Sequence, residues 1–110
     1  MEAIDLTQVP VQEIFPGFKG KMVHSDTMTI AYWDIDQGCD LPEHSHHQEQ
    51  VVNVTDGQLE LIVSGKKHRL TPGKVLVIPS NAVHSGKALT RVSVMDIFSP
   101  ARDDYRLKDQ

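Results

Sequence analysis

Cysteine is nearly absent. Cys39 is the only one in 110 residues, so no intrachain disulfide can form and a secreted, disulfide-stapled scaffold is excluded. A reducing compartment is the simplest setting. The chain also lacks an apolar run long enough to span a bilayer, and Met1-Glu2-Ala3-Ile4-Asp5 has neither the basic stretch nor the apolar core of a signal peptide. The expectation is a cytoplasmic protein with no membrane partner. Positive charge is in deficit, with 11 Lys and Arg against 15 Asp and Glu for a net charge of −4. Without a basic field to hold a polyphosphate backbone, nucleic acid is not an expected partner. Length is short as well, too short for two domains, so residues 1–110 are expected to form a single one. Its 39% hydrophobic and 24% charged residues are typical of a chain that folds.

Helical periodicity is missing too, and strand signals stand in its place. Short runs rich in Val, Ile, Thr and Tyr recur about every 8 to 12 residues between Gly, Pro and Asp clusters, the pattern of an all-β sandwich or small barrel. The expected strands are 18–24, 27–35, 48–54, 58–63, 66–70, 75–78 and 90–98. Asp56-Gly57 and Ser64-Gly65 read as hairpin turns joining three of them into an antiparallel meander. Thr71-Pro72-Gly73 and Pro79-Ser80-Asn81 are further turns. The run 27–35 is apolar on both parities and is expected to be covered on both faces, with Met28, Tyr32 and Trp33 in the core. Beyond Pro100 the chain becomes a charged tail with Asp103, Asp104, Arg106, Lys108 and Asp109, a short helix or frayed.

Histidine is what the sequence has in quantity. There are six, and His44, His46 and His47 fall within four positions. On a strand, His44-Ser45-His46 sends both imidazoles to one face, as two ligands of one metal require. Gln50, Val52 and Val54 share that parity, and the valines look like core, so the pair is expected to point inward. His84 supplies a third imidazole where the chain would return across a sheet. H-x-H by itself is more often a solvated loop tract with no metal.

Spacing adds to this. Gly38, five residues, His44-x-His46, three residues, Gln50, six residues and Gly57 resemble the first motif of the cupins. Gly73, five residues, Pro79, four residues and His84 resemble the second. The resemblance covers about residues 38–105, with the metal motifs at 38–57 and 73–88. It implies an all-β double-stranded β-helix, or jelly-roll barrel, with an N-terminal arm over about 1–19 and a metal held by His44, His46 and His84. Cupins usually carry Glu where Gln50 stands, Gly where Asn81 stands, and often Asn where Ala88 stands. Asn81 tolerates the turn, since Asn enters the left-handed region readily. Three imidazoles and a carboxamide leave a divalent ion with no ligand charge to offset it, so the site should attract an anion. Glu49 has the opposite parity and His47 lies beside the pair; both are expected outside the site. Cys39 reads as a bystander.

In the stretch 91–98, the even positions Val92, Val94, Asp96 and Phe98 share a face, which puts an acid in an apolar row. Burying a carboxylate there costs several kcal/mol unless it is paired or neutralised; desolvation raises its pKa and a nearby ion lowers it. Asp96 is either a general base, a structural partner of Arg91 or Arg102, or solvated on an edge strand. Phe98 and Arg102 have equally plain readings, as core and surface.

A narrower likeness lies in the run from Val94-Met95-Asp96-Ile97-Phe98 through Ser99-Pro100-Ala101-Arg102-Asp103-Asp104-Tyr105. Together with His44-x-His46 and Glu49-Gln50, it resembles the small pectin-degradation cupins of the KdgF type. That resemblance implies linearisation of 4,5-unsaturated uronic acid sugars to their keto forms, with a small anionic sugar as substrate and a homodimer as the assembly. It implies metal ligands at His44, His46, Gln50 and His84, and active-site positions at Asp96, Phe98 and Arg102. The cofactor would be one divalent transition metal, Zn, Ni, Fe, Mn or Cu. An Fe(II) dioxygenase and a non-catalytic ligand-binding cupin are the alternatives, since fold alone does not fix function. In a dimer, Val9, Val11, Ile14 and Phe15 make the arm a candidate for swapping onto a partner sheet.

Overall fold

The computed structural model describes residues 2–106, which form two antiparallel sheets in a jelly-roll arrangement that is not closed into a barrel. The strands are β1 (Gln12–Phe15), β2 (Phe18–His24), β3 (Thr29–Ile35), β4 (Asp40–His44), β5 (Glu49–Asp56), β6 (Leu59–Val63), β7 (Lys66–Leu70), β8 (Val75–Ile78), β9 (His84–Ala88) and β10 (Val92–Ser99). One sheet has six strands in the order β1-β2-β3-β10-β5-β8, the other four in the order β4-β9-β6-β7. Among the described residues no helix is long and apolar enough to cross a membrane.

Strand alternation builds the interior. Along β3 the odd residues Thr29, Ala31, Trp33 and Ile35 are buried, and along β10 the even residues Val92, Val94, Asp96 and Phe98. Register then lines these up across the large sheet. Thr29, Phe98, Gln50 and Ile78 are successive neighbours in one inward row, and Met22, Ala31, Asp96, Val52 and Leu76 in the next. The first row is half apolar and the second mostly so, and burial of their apolar members at roughly 25 cal/mol per Å² supports the sheet. A polar group in such a row must therefore be satisfied locally or remain costly.

Several expectations need correcting. Asp56-Gly57 does not close a hairpin, because β10 and β8 already occupy both edges of β5. The turn instead carries the chain from the large sheet to the small one, and of these two expected hairpin turns the one at Ser64-Gly65 does join neighbouring strands, β6 and β7. Gly57 has φ +82°, and a Cβ there would lie 2.2 Å from the Arg91 carbonyl oxygen. The crossing thus passes too close to the start of β10 for any side chain. Strand β3 is buried on one face only, its even residues being half-exposed, and Met28 is 43% exposed. Trp33 is core as expected, whereas Tyr32 is half-buried. Within this chain, residues 12–15 of the arm pair with β2. In the tail, residues 103–105 form one 3₁₀ turn, while Lys108 and Asp109 lie outside the described residues.

Strands β1, β4 and β9 are not among those the sequence pattern predicts. They are short, polar or interrupted by Pro42 and Gly86, so they carry little alternation of their own. They exist because a neighbouring strand offers a ladder. Two of them carry histidines at their ends.

Candidate metal centre

His44 is the last residue of β4 and His84 the first of β9, and the two face each other directly in the ladder. His46 does not continue that strand. It lies in the connection to β5, so the shared parity expected of His44 and His46 is not what brings them together. The connection is held by the turn at residues 79–81, where Asn81, at φ 64°, donates its backbone N–H to the His46 carbonyl at 2.8 Å. The Ser80 hydroxyl donates to the His47 carbonyl at 2.6 Å. This turn is therefore more than a break between strands: it clamps the ligand loop. Farther on, Gln48 is buried and its amide donates to the Ala101 carbonyl at 3.3 Å.

The outcome is three imidazoles with ring centroids 4.1 Å (His44 to His84), 5.0 Å (His46 to His84) and 5.6 Å (His44 to His46) apart. One ring nitrogen from each lies within 4.8 Å of the others. Each Nδ1 sits against a backbone carbonyl two residues away, His44 on Pro42 at 2.8 Å, His46 on Gln48 at 3.0 Å and His84 on Ala82 at 2.9 Å. Carbonyls only accept, so each Nδ1 carries the proton and donates it, leaving the Nε2 lone pair free. Nε2 of His46 and of His84 is buried with no hydrogen-bond partner. Burial holds the His84 pKa down at about 4 and also lowers that of His46, which the Arg102 charge depresses further. Two buried imidazoles with orphaned Nε2 atoms, converging with a third ring, are a poor way to fill a core and a good way to bind a cation. The donor set fits a divalent transition metal, and these three histidines can hold one.

Gln50 lies on the opposite wall, on β5 beside Phe98 of β10, and is buried. It lines the same cavity as His44, His84 and Asp96. His47 and Glu49 are exposed, as expected. Cys39 is half-buried against the core.

Asp96 has none of the plain roles open to it. Strand β10 is central rather than an edge. Arg91 pairs instead with Asp34 at 2.6 Å, and Arg102 with Asp104. Its partner is Trp33, whose indole N–H donates to Oδ2 at 3.0 Å, while Oδ1 is buried without any partner. Burial pushes its pKa up to about 7, against the opposing pull of Gln50, Trp33 and the Arg102 charge. A carboxyl that changes charge near neutrality, with one unpaired oxygen and a place in the lining of a cavity, is suited to proton transfer.

Arg102 is buried, not on the surface. Its backbone N–H donates to the Thr29 hydroxyl at 2.8 Å, tying the segment after β10 to the start of β3. Its guanidinium lies 4.9 Å from the Phe98 ring centroid and 3.9 Å from that of Tyr105. Phe98 also meets the His46 ring edge to face at 5.7 Å. The residues that sequence reasoning leaves aside are Trp33, Tyr105 and Asp104. Inward parity on β3 marks Trp33 only as core, and no local pattern distinguishes the other two from a solvated tail.

Comparison with known proteins bears on the family and the fold. The family model described as "Cupin domain" matches residues 31–98. The curated pectin degradation protein KdgF of Dickeya dadantii (strain 3937) is 29% identical over 101 residues, 89% of this chain and 92% of that one. The structure of KdgF from Halomonas sp. superposes with a TM-score of 0.85 at 31% identity, covering 91% of this chain and 94% of that one. An RmlC-like cupin from Shewanella frigidimarina NCIMB 400 superposes with a TM-score of 0.86 at 28% identity, covering 91% of each chain.

Proposed function

For this chain, which belongs to the cupin family, we propose a metal-dependent ring opening of a 4,5-unsaturated uronic acid monosaccharide to its keto form. The observation that carries this reading is Asp96, a buried carboxyl with an unpaired oxygen, among the residues lining the cavity that His44 and His84 also line. The relatives called pectin degradation protein KdgF and KdgF support the sugar class. A divalent transition-metal ion held by His44, His46, His84 and Gln50 would supply Lewis-acid stabilisation of negative charge developing on a sugar oxygen.

The chain's own residues do the rest. Arg102 binds the uronate carboxylate through its planar N–H fork. Asp96 takes the proton from the anomeric hydroxyl as the bond from C1 to the ring oxygen breaks. This yields an aldehyde at C1 and an enol oxygen at C5. Returning a proton to C4 completes the isomerisation with no redox change. A group titrating near 7 suits both halves of that exchange. Phe98 packs beside the guanidinium and the His46 ring, excluding water from the same corner. A cytoplasmic setting fits the single cysteine.

The test is loss of the conjugated double-bond absorbance when metal-loaded protein meets 4,5-unsaturated galacturonate. Acceleration over the spontaneous rate is expected. Gln50→Glu, which adds a ligand charge, should retain metal more tightly and raise the KM for the anion about tenfold, a weakening of roughly 1.4 kcal/mol. No acceleration by protein with confirmed metal rejects the reading, and oxygen consumption in its place would favour a dioxygenase.

The homodimer has a candidate face. Val23, Ile30, Ile97, Val51 and Val77 are successive cross-strand neighbours on the outer side of the large sheet, and Val77 is 52% exposed. A self-complementary aliphatic row of this kind suits a two-fold partner. Sedimentation velocity should show a dimer that Val77→Lys converts to monomer; a monomeric parent protein refutes the assignment.

A further inference from the structure

Among the described residues, Arg102 is the one that lines both the inner cavity, with His44, Gln50, His84 and Asp96, and a wider groove. Yet the guanidinium already carries a carboxylate. Asp104, two residues on, accepts from Nε at 3.0 Å and from Nη2 at 2.8 Å. The arrangement is lopsided: the Arg102 side chain is 9% exposed and that of Asp104 59% exposed. The pair is therefore anchored from outside, with its cationic half driven inward.

A guanidinium has five N–H donors in one plane, enough for a bidentate contact along the Nε edge and another at the Nη1–Nη2 end. Asp104 takes the first of these. The group also lies beside two aromatic rings, its central carbon 3.9 Å from the Tyr105 ring centroid and 4.9 Å from that of Phe98. With one edge held by Asp104 and two rings beside it, the guanidinium is constrained. What remains is its terminal pair of N–H groups, the geometry that a second carboxylate needs.

We propose that Asp104 is a positioning residue for substrate recognition: it locks Arg102 along one edge so that the other edge is preset for the carboxylate of a uronic acid. The inference deepens the proposed function and rests on its assignment of an anionic sugar. Asp104 acts only through Arg102 and touches no reacting atom. The Arg102 guanidinium holds the Asp104 carboxyl below the usual carboxylate range, so the lock stays closed in mildly acidic solution. The opposite possibility is that Asp104 competes with the substrate for Arg102. That role makes the opposite prediction about affinity.

The test uses binding rather than turnover. Trp33 is the only tryptophan, and its indole donates to Asp96 inside the cavity, so its fluorescence reports on the site. Metal-loaded protein is titrated with saturated galacturonate, which cannot undergo the reaction, and with galactose, its uncharged counterpart. The expected result is a preference for galacturonate in the parent protein that falls tenfold or more in Asp104→Asn, with galactose affinity and metal content unchanged. Asp104→Glu, which keeps the charge, should recover part of the preference, and a role confined to the 103–105 turn would not separate the two sugars. Tighter galacturonate binding by Asp104→Asn would make Asp104 a competitor and overturn the proposal, as would an unchanged preference. A parent protein that binds both sugars alike, or neither, overturns the proposal together with the anionic-sugar reading. Preference present in the parent and indifferent to Asp104 overturns the positioning role alone.

Discussion

Replacing Asp96 by Asn should slow ring opening about 10²- to 10⁴-fold, the usual contribution of a positioned acid or base, while making the metal-free protein more stable in alkaline solution. The gain in stability follows from linkage. Burial raises the Asp96 pKa from 3.8 to about 7, so between those values the folded chain holds a proton that the unfolded chain has lost. Stability therefore falls as pH rises from about 4 to about 7 and stays low above that, where the buried carboxylate is charged. The loss is on the order of a few kcal/mol, since a tenfold change in acidity corresponds to about 1.4 kcal/mol. Asn can still accept from the Trp33 indole and carries no charge to desolvate. Urea unfolding of the metal-free proteins at pH 5 and pH 8 should show the parent losing stability between them and Asp96→Asn losing far less. Parallel pH profiles would mean that Asp96 is already ionised in the fold, removing the basis for its role as a base titrating near neutrality. A gain in stability that comes with a loss of activity is the mark of a functional group held in an unfavourable place.

His84→Ala should empty the metal centre. His84 is 2% exposed and its Nε2 has no partner among the described residues, so truncating it removes one of three converging imidazole donors. Elemental analysis after dialysis should fall from about one divalent ion per parent chain to nearly none, with uronate turnover lost in step. Binding to the folded state alone stabilises it, by about 4 kcal/mol where metal is present at a thousandfold its Kd. The parent should therefore lose thermal stability on chelation, whereas His84→Ala should be indifferent to chelator. Full retention of metal by the variant would mean that another group completes the site and that the three-histidine assignment is wrong.

The two residues owe their positions to different causes. Asp96 points inward because alternation along β10 leaves it no other face, and its cost is that of a charge in an apolar row. His84 sits where it does because β9 begins there, a strand that has no pattern of its own. The first placement is visible in the residues and the second is not.

The inward row of β10, the buried even positions of β5 and the turns at Asp56-Gly57, Ser64-Gly65 and Pro79-Ser80-Asn81 are all legible from alternation and turn chemistry, which are local. Spacing of the histidines, through the family likeness, also brings out the set His44, His46 and His84. The expected meander fails because local signals say where a chain turns, not which sheet it turns into; β5 is already paired on both sides. The parity argument for His44 and His46 reaches the right pair by the wrong route, since the strand ends at His44 and the Asn81 clamp places His46.

Residue order alone was thus enough for the all-β class, the inward placement of Asp96, Gln50 and Phe98, and the three imidazoles available to a metal. It did not reveal that Asp96 is paired with Trp33 and with neither arginine, that all three Nδ1 atoms are tied to carbonyls, or that Arg102 is locked by Asp104 over Tyr105. Those came from the packed chain, for a physical reason. Alternation and turn preference act over a few residues, whereas most of those pairings depend on which strands and segments lie side by side, and that is settled by packing of the whole chain.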